Sequence, residues 1–395
     1  MCTELLRSPR VARGSIFKRS GGWAFRVDAG YQPGTGKRRQ LLRQGFRTRK
    51  EAEAALAELL RDNCRGAAVS RSTIRVEEFL EDWLGTVESK LRPTTHHSYS
   101  MAVHRITRDL GRHQLQVLTP MQIEKFYARQ LISGGRQGRG LSPKTVRNMH
   151  VVLRKALADA ERLGVVQRNA AAAARPPTVA RHDLVTWTSE ELQTFMDAVE
   201  DHRLHIAFLL LATTAMRRGE VLGLRWSDVD LAGAQLSIAH TTTTAGNRIV
   251  SGPPKTTRSR RLVYLDRRTV ACLTTHRARQ SAERLAAGPA WRSGTGLVVC
   301  DQLGAPIHPD QVSREFKRIT RSICVAPIRL HDLRHTYATL ALKAGVHPKV
   351  VSERLGHATI AVTLDLYSHV VPSIARDAAE LVASQIFRPD ELAPR

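Results

Sequence analysis

The chain reads as a multidomain, mainly α protein with small β-sheets, and three observations lead there. Its 395 residues, 42% of them hydrophobic, are more than one core accommodates and enough for two or three. Short β-like segments broken by Gly-rich turns are confined to residues 13–57 and one stretch of the second half, while elsewhere apolar residues recur at three- and four-residue steps. Two polar or small-residue stretches without periodicity, 61–71 and 168–181, separate the patterned regions.

The first domain is expected over residues 1–62. β segments around Ile16, Trp23–Val27 and Arg38–Arg43 alternate with GG and PGTG turn signals, and Thr48 with Glu51 forms a T-x-x-E start for an Ala-rich helix reaching Leu60. A helical domain follows over 73–168. Val76, Phe79, Leu80, Trp83, Leu84 and Val87 make one apolar stripe, and Pro93 opens a second helix. Thr119-Pro120 and Ser142-Pro143 each pair an N-cap with a first-turn proline, and Gly164 ends the last of four helices. His96, His97, Arg105, Arg108, Arg147 and Arg154 fall on its outer faces. Residues 169–181, alanine-rich with a Pro pair, read as a linker.

The last domain is expected over 182–395. Thr188 to Glu191 is another capping box, and Leu192, Phe195, Met196 and Val199 give that helix its buried face. An apolar helix over Leu204–Thr213 runs into Met216-Arg217-Arg218-Gly219-Glu220. Strand-like Gln235–Ala239 and Arg261–Leu265 flank a Thr-rich connection with Lys255 at or near a turn, and the chain is mainly helical from Asp266 on. Near the end, Ile374, Ala378, Leu381, Val382 and Ile386 make an amphipathic stripe that docks either on its own domain or on a neighbouring subunit.

Composition limits the function. A net charge of +25, spread along the whole length, points to a polyanionic partner and does not by itself choose DNA over RNA. Five scattered cysteines without a C-x-x-C pair suit a reducing cytoplasm and argue against structural zinc. The longest apolar run, Ile206–Ala212, is too short to span a bilayer, so no membrane partner is expected. Within LHDLRHTYATL, His331 and Arg334 belong on one face at the start of a helix, followed by His335 and Tyr337, with His357 and Tyr367 further on. Cationic groups with a tyrosine suggest chemistry on a phosphate.

Taken in order, TTAMRRGE with Arg217, PPKTTRSRR with Lys255, HDLRH with His331 and Arg334, LGH with His357 and LDLYSHV with Tyr367 resemble the tyrosine recombinases of the phage integrase family. The small N-terminal sheet is similar to the arm-type (AP2-like) DNA-binding domain of phage integrases. The resemblance implies a SAM-like core-binding domain for the four helices and an α+β catalytic domain of the DNA breaking-rejoining type. It also implies site-specific cleavage and rejoining of duplex DNA through a 3′-phosphotyrosine, integrating or excising a phage or mobile element. Tyr367 is then the nucleophile, Arg217 and Arg334 clamp the nonbridging oxygens, and His357 adds a hydrogen bond. His331 serves as the base and Lys255 as the general acid, while Glu220 supports the cluster. No cofactor, metal or ATP is implied. The implied partners are double-stranded DNA attachment sites, a homotetramer on that DNA, and a host architectural protein and an excisionase as accessory factors, in the cytoplasm and nucleoid of a bacterial host.

One departure stands out: the family's T-G-x-R turn has glycine where this chain has Ala215, which tolerates positive φ poorly. Other readings stay open on the residues alone. His331, His335 and His357 could share a zinc ion, Tyr337 is a rival nucleophile inside an apolar helix, and the arginines taken singly are ordinary salt-bridge partners. A type IB topoisomerase that relaxes DNA and a non-catalytic DNA-binding protein are the alternative functions.

Overall fold

The computed structural model describes residues 14–19, 21–31, 38–64, 72–180, 184–254, 260–292, 294–357 and 359–366, with short pieces at 382–383 and 385–386. The chain divides into two compact units, residues 1–180 and 181–395. Lys255, Tyr367 and most of the expected amphipathic segment Ile374–Ile386 lie outside the described residues. Among the described residues no helix is long and apolar enough to cross a membrane.

The first unit opens with three antiparallel strands in sequence order, β1 (Gly14–Arg19), β2 (Gly22–Tyr31) and β3 (Arg38–Phe46), followed by α1 (Arg49–Cys64). Alternation along β2 buries Phe25 and Val27 against Leu56 of the helix and leaves Arg26 exposed. Thr48 caps α1 as expected, its Oγ1 accepting from Glu51 N at 3.2 Å.

Helices α2 (Val76–Glu88), α3 (Pro93–Leu110), α4 (Pro120–Ser133) and α5 (Pro143–Arg162) enclose one core that includes Leu80, Ile106, Ile123, Phe126 and Met149. Thr119 and Ser142 cap α4 and α5 through their side chains, as the Thr-Pro and Ser-Pro pairs foretell. The expected linker over 169–181 needs correction. Asn169 accepts from Ala172 N and so starts a short helix, α6 (Ala170–Ala173), whose Ala170 and Ala171 join the helical core together with Ala174. Alanines this small pack where a longer side chain would not fit, so composition alone mistook packing for flexibility. Of the basic residues expected outside, His97, Arg108, Arg147 and Arg154 are exposed, whereas Arg105 is half-buried.

The second unit is built around α8 (His205–Thr214), apolar on every side and therefore central. Around it lie α7 (Ser189–Ala198), α9 (Arg218–Gly223), α10 (Arg267–Ala287), α11 (Pro309–Thr320) and α12 (Asp332–Lys343). Phe208 of α8 packs against Phe195 and Phe316, which in turn meet Trp187. A small sheet orders β4 (Val229–Asp230), β5 (Gln235–Ser237) and β8 (Leu262–Tyr264), with Leu236 opposite Val263. The Thr-rich connection is a hairpin, β6 (Thr241–Ala245) with β7 (Arg248–Gly252), turning at Gly246-Asn247. Helix α9 lies directly on β6, because a Cβ on Gly223 would stand 2.8 Å from the Thr241 backbone. Last come α13 (Pro348–Leu355) and α14 (Ile360–Leu366).

The aromatic cluster around α8 carries much of this unit's stability. Phe208→Ala is expected to lower its unfolding free energy by about 3–5 kcal/mol, read as a drop in the urea midpoint. An unchanged midpoint would show that the cluster is not the core.

Candidate active site

Each candidate side chain among the described residues lies at or beside a helix end. Helix α8 stops at Ala215, where the backbone turns left-handed with φ 56° and ψ 23°. The chain then re-enters α9 at Arg217, and Glu220 in its first turn folds back so that Oε2 accepts from Arg217 N at 2.9 Å. His331 immediately precedes α12, and Arg334 lies in its first turn with only 3% of its surface exposed. Helix α13 ends at Gly356, left-handed at φ 62°, and His357 follows it.

The end of α13 is where these parts meet. Its last carbonyls lack intrahelical partners and carry the negative end of the helix dipole. Three consecutive ones accept from three different arginines: Arg354 O from Arg261 Nε at 2.7 Å, Leu355 O from Arg334 Nη2, and Gly356 O from Arg217 Nη2 at 3.4 Å. Arg334 Nη1 also reaches Ala215 O at 2.5 Å, tying the end of α8 to the same cluster. Arg354 donates through Nη2 to Thr213 O at 3.0 Å and lies over the Tyr337 ring.

One buried carboxylate is shared by two of these arginines. Glu220, 4% exposed at its side chain, receives Arg217 Nη1 at 2.9 Å and both terminal nitrogens of Arg261 at 3.0 and 3.3 Å. Burial alone would raise its pKa. The Arg261 charge and hydrogen bonds, followed by those of Arg217, outweigh burial and hold the carboxyl below the usual glutamate value.

The histidines respond in the opposite way. Burial, then His335 and Arg334, push His331 down to about 4, and because the residue as a whole is exposed, water moderates the effect. Burial, then Arg334 and Arg217, push His357 down to about 4 as well. Both imidazoles are therefore neutral near pH 7. His357 Nδ1 pairs with Thr363 Oγ1 of α14 at 2.9 Å, and when Nδ1 accepts there, the ring proton sits on Nε2. His331 meets His335 edge to face at 5.3 Å between centroids.

Of the residues singled out in the sequence, Arg217, Glu220, His331, Arg334 and His357 converge here, and Tyr337 is half-buried against the Ala338–Leu342 cluster. Lys255 and Tyr367 are the two whose positions fall outside the described residues. Sequence reasoning passed over Arg261, Arg354 and Thr363. Arg261 sat at the start of an expected strand, and nothing in its neighbourhood marked it as buried. The positive φ expected to trouble Ala215 is present, and its methyl fills a small cluster with Leu342, Val351 and Leu355.

Two predictions follow from this geometry. Ala215→Gly removes roughly 1–2 kcal/mol of left-handed strain but also a packed methyl and some chain stiffness, so thermal denaturation should move by less than about 1 kcal/mol in either direction. Ala215→Val, β-branched and overpacked, should lose more than about 2 kcal/mol; equal stability of the two variants would refute the account. For pH, the unfolded histidines bind protons below about 6.5, whereas the folded ones do so only near 4. Stability of the DNA-free protein should therefore decline as pH falls from 6.5 toward 4 and be level above that window with respect to these groups. Proton NMR should find the His331 and His357 rings neutral at pH 6, and midpoints at or above 6.5 would contradict the assignment.

Three family profiles match the chain in order. They are an arm DNA-binding domain over residues 15–62, a phage integrase N-terminal SAM-like domain over 75–130, and the phage integrase family over 186–373. A tyrosine recombinase XerC-like protein of Caldanaerobacter subterraneus is 28% identical over 86% of this chain and 91% of its own length. The ICEBs1 integrase of Bacillus subtilis is 26% identical over 91% and 96%. Among solved structures, the Tn1549 transposon integrase in complex with transposon right end DNA superposes with a TM-score of 0.64 at 19% identity, covering 78% of this chain and all of that one. A lambda integrase tetramer bound to a Holliday junction gives 0.54 at 17% identity, over 89% and 94%. With the three profiles matched in order along the chain and the fold in agreement, the chain belongs to the phage integrase family of tyrosine recombinases.

Proposed function

We propose that this protein is a site-specific DNA recombinase that integrates or excises a mobile element, breaking and rejoining strands through a covalent phosphotyrosine. One observation carries the reading. Arg217 and Arg334 both donate to carbonyls at the C-terminal end of α13, and His357, which follows that end, pairs with Thr363 of α14; Tyr367 is the next residue of the sequence after α14.

A phosphodiester in such a site gains charge on its nonbridging oxygens as phosphorus becomes pentavalent, and guanidinium pairs suit that geometry because they stay charged at any working pH. Arg217 and Arg334 form the clamp, with His357 donating from Nε2. The Tyr367 hydroxyl attacks phosphorus, His331 takes its proton, and the 5′-oxygen leaves with a proton from Lys255. This leaves a 3′-phosphotyrosine and a free 5′-hydroxyl. Attack by a 5′-hydroxyl from the partner duplex reverses these steps and regenerates the phenol. Because the phosphodiester's energy is kept in the covalent link, rejoining needs no ATP, and because arginines take the place of metal ions at the nonbridging oxygens, no divalent cation is required. We assign residues 1–62 to arm-type DNA, 73–168 to the core site and 182–395 to catalysis. The working form is a tetramer on two duplexes, with an architectural protein and an excisionase as accessory factors and the bacterial nucleoid as its place of action.

The test uses a nicked suicide duplex carrying the attachment site, incubated in EDTA. Wild type should form a covalent protein–DNA adduct, and Tyr367→Phe none. Arg217→Ala should slow adduct formation by about 10²–10³-fold while leaving duplex binding, steeply salt-dependent, largely intact. No adduct with wild type would mark a non-catalytic DNA-binding protein, and relaxation of supercoils without strand exchange on paired sites would mark a topoisomerase.

A further inference from the structure

We infer that Arg261 is a positioning residue for cleavage: it fixes Glu220 and the end of α13 together, and through them sets the orientation of Arg217. The inference rests on the recombinase reading above and concerns a side chain outside the expected catalytic set.

Its contacts have a specific form. The Arg261 side chain is 7% exposed and spends three nitrogens on two partners, Nη1 and Nη2 on the Glu220 carboxylate and Nε on Arg354 O. The first partner holds Arg217 directly, and the second lies two residues before its other acceptor. Glu220 receives the Arg217 guanidinium and its backbone N–H, and the carbonyl two residues beyond Arg354 O, that of Gly356, is the other acceptor of Arg217. The fit leaves little freedom, since a Cβ on Gly356 would stand 3.1 Å from Arg261 Nη1. Arg217 differs from Arg261 in being 39% exposed at its side chain, so it has a face for a phosphate and Arg261 does not.

The division of labour follows from the shared carboxylate. With Arg261 in place, Glu220 is oriented on one edge and presents Oε1 to Arg217. Without it, a buried carboxylate would draw Arg217 inward as its sole remaining guanidinium among the contacts described, away from the substrate. Lysine is not an equivalent replacement, because one ammonium does not reproduce a planar fork that bridges a carboxylate and a carbonyl. Arg261 also follows Lys255 in the same connection, separated by Thr256–Arg260, so the anchored point adjoins the segment that carries the proposed general acid.

The experiment is a double-mutant cycle on the same nicked suicide duplex, reading single-turnover adduct formation, duplex Kd and thermal midpoint. Arg261→Lys should keep its fold and bind duplex within about 3-fold of wild type, yet cleave roughly 10–100-fold more slowly, since small misplacements of a clamp are costly. Introduced into Arg217→Ala, the same change should alter the rate by less than about 3-fold, because the residue it acts through is gone. An equal loss in both backgrounds, a loss confined to Kd, or wild-type cleavage by Arg261→Lys would each overturn the inference. Should Arg261→Lys not fold, Arg261→Gln combined with Glu220→Gln removes both charges together and enters the same cycle. If wild type forms no adduct, it is the recombinase reading itself that falls.

Discussion

The catalytic unit depends on one constraint: several guanidinium groups must be held close together in a partly buried place before any phosphate arrives. Like charges at that spacing repel, and burial strengthens the repulsion. The chain answers with a buried carboxylate, Glu220, that two of the arginines share, and with the carbonyl ends of two helices. Arg217 and Arg261 share Glu220, while Arg261, Arg334 and Arg217 take the last three carbonyls of α13 in turn. Helix C-termini are the natural counterpart, since they carry partial negative charge and unsatisfied acceptors without adding a formal anion that would repel DNA.

That arrangement explains features that look unrelated in isolation. Ala215 remains in a left-handed conformation, unfavourable for alanine, because its carbonyl must face Arg334 and its methyl closes the cluster beneath. Gly356 is left-handed as well, and there the missing side chain makes room for Arg261. The low histidine pKa values are a by-product of the same crowding. Burial first, and neighbouring cationic side chains after it, keep His331 and His357 neutral, which leaves one able to accept a proton and the other able to donate a neutral N–H.

Much of this was legible in the sequence, for reasons that are local. Caps at Thr48, Thr119, Ser142 and Thr188 mark helix starts because a side-chain oxygen there meets a backbone N–H within three residues. The uniformly apolar run after Leu204 announces a central helix. What escaped depended on distant partners. The Ala170–Ala173 helix owes its existence to packing on α4 and α5, and the β6–β7 hairpin hides behind threonines that show no apolar alternation, though Gly246-Asn247 between β-branched runs was the available signal. Arg261 is the sharpest case. Its contacts are with Glu220 and Arg354, residues far off in the chain, and no pattern in the sequence around it reports them.

Under the proposed function, in which Arg217 and Arg334 would hold a phosphate, the two arginines are not equivalent. Arg334 is 3% exposed and committed to carbonyls of both α8 and α13, so it is a fixed point whose displacement would disturb two helix ends. Arg217 is held by a longer carbonyl contact of 3.4 Å and by a carboxylate that Arg261 also satisfies, and it keeps an exposed face. A phosphate oxygen entering the site competes with Gly356 O for Arg217 on favourable terms, because a charged acceptor outbids a neutral carbonyl. Releasing that carbonyl loosens Gly356 and the His357 that follows it, while Arg334 and Arg261 still hold Leu355 and Arg354 in place. On this reading substrate binding is felt first at the LGH turn, one short helix away from Tyr367, and the rest of the cluster stays still.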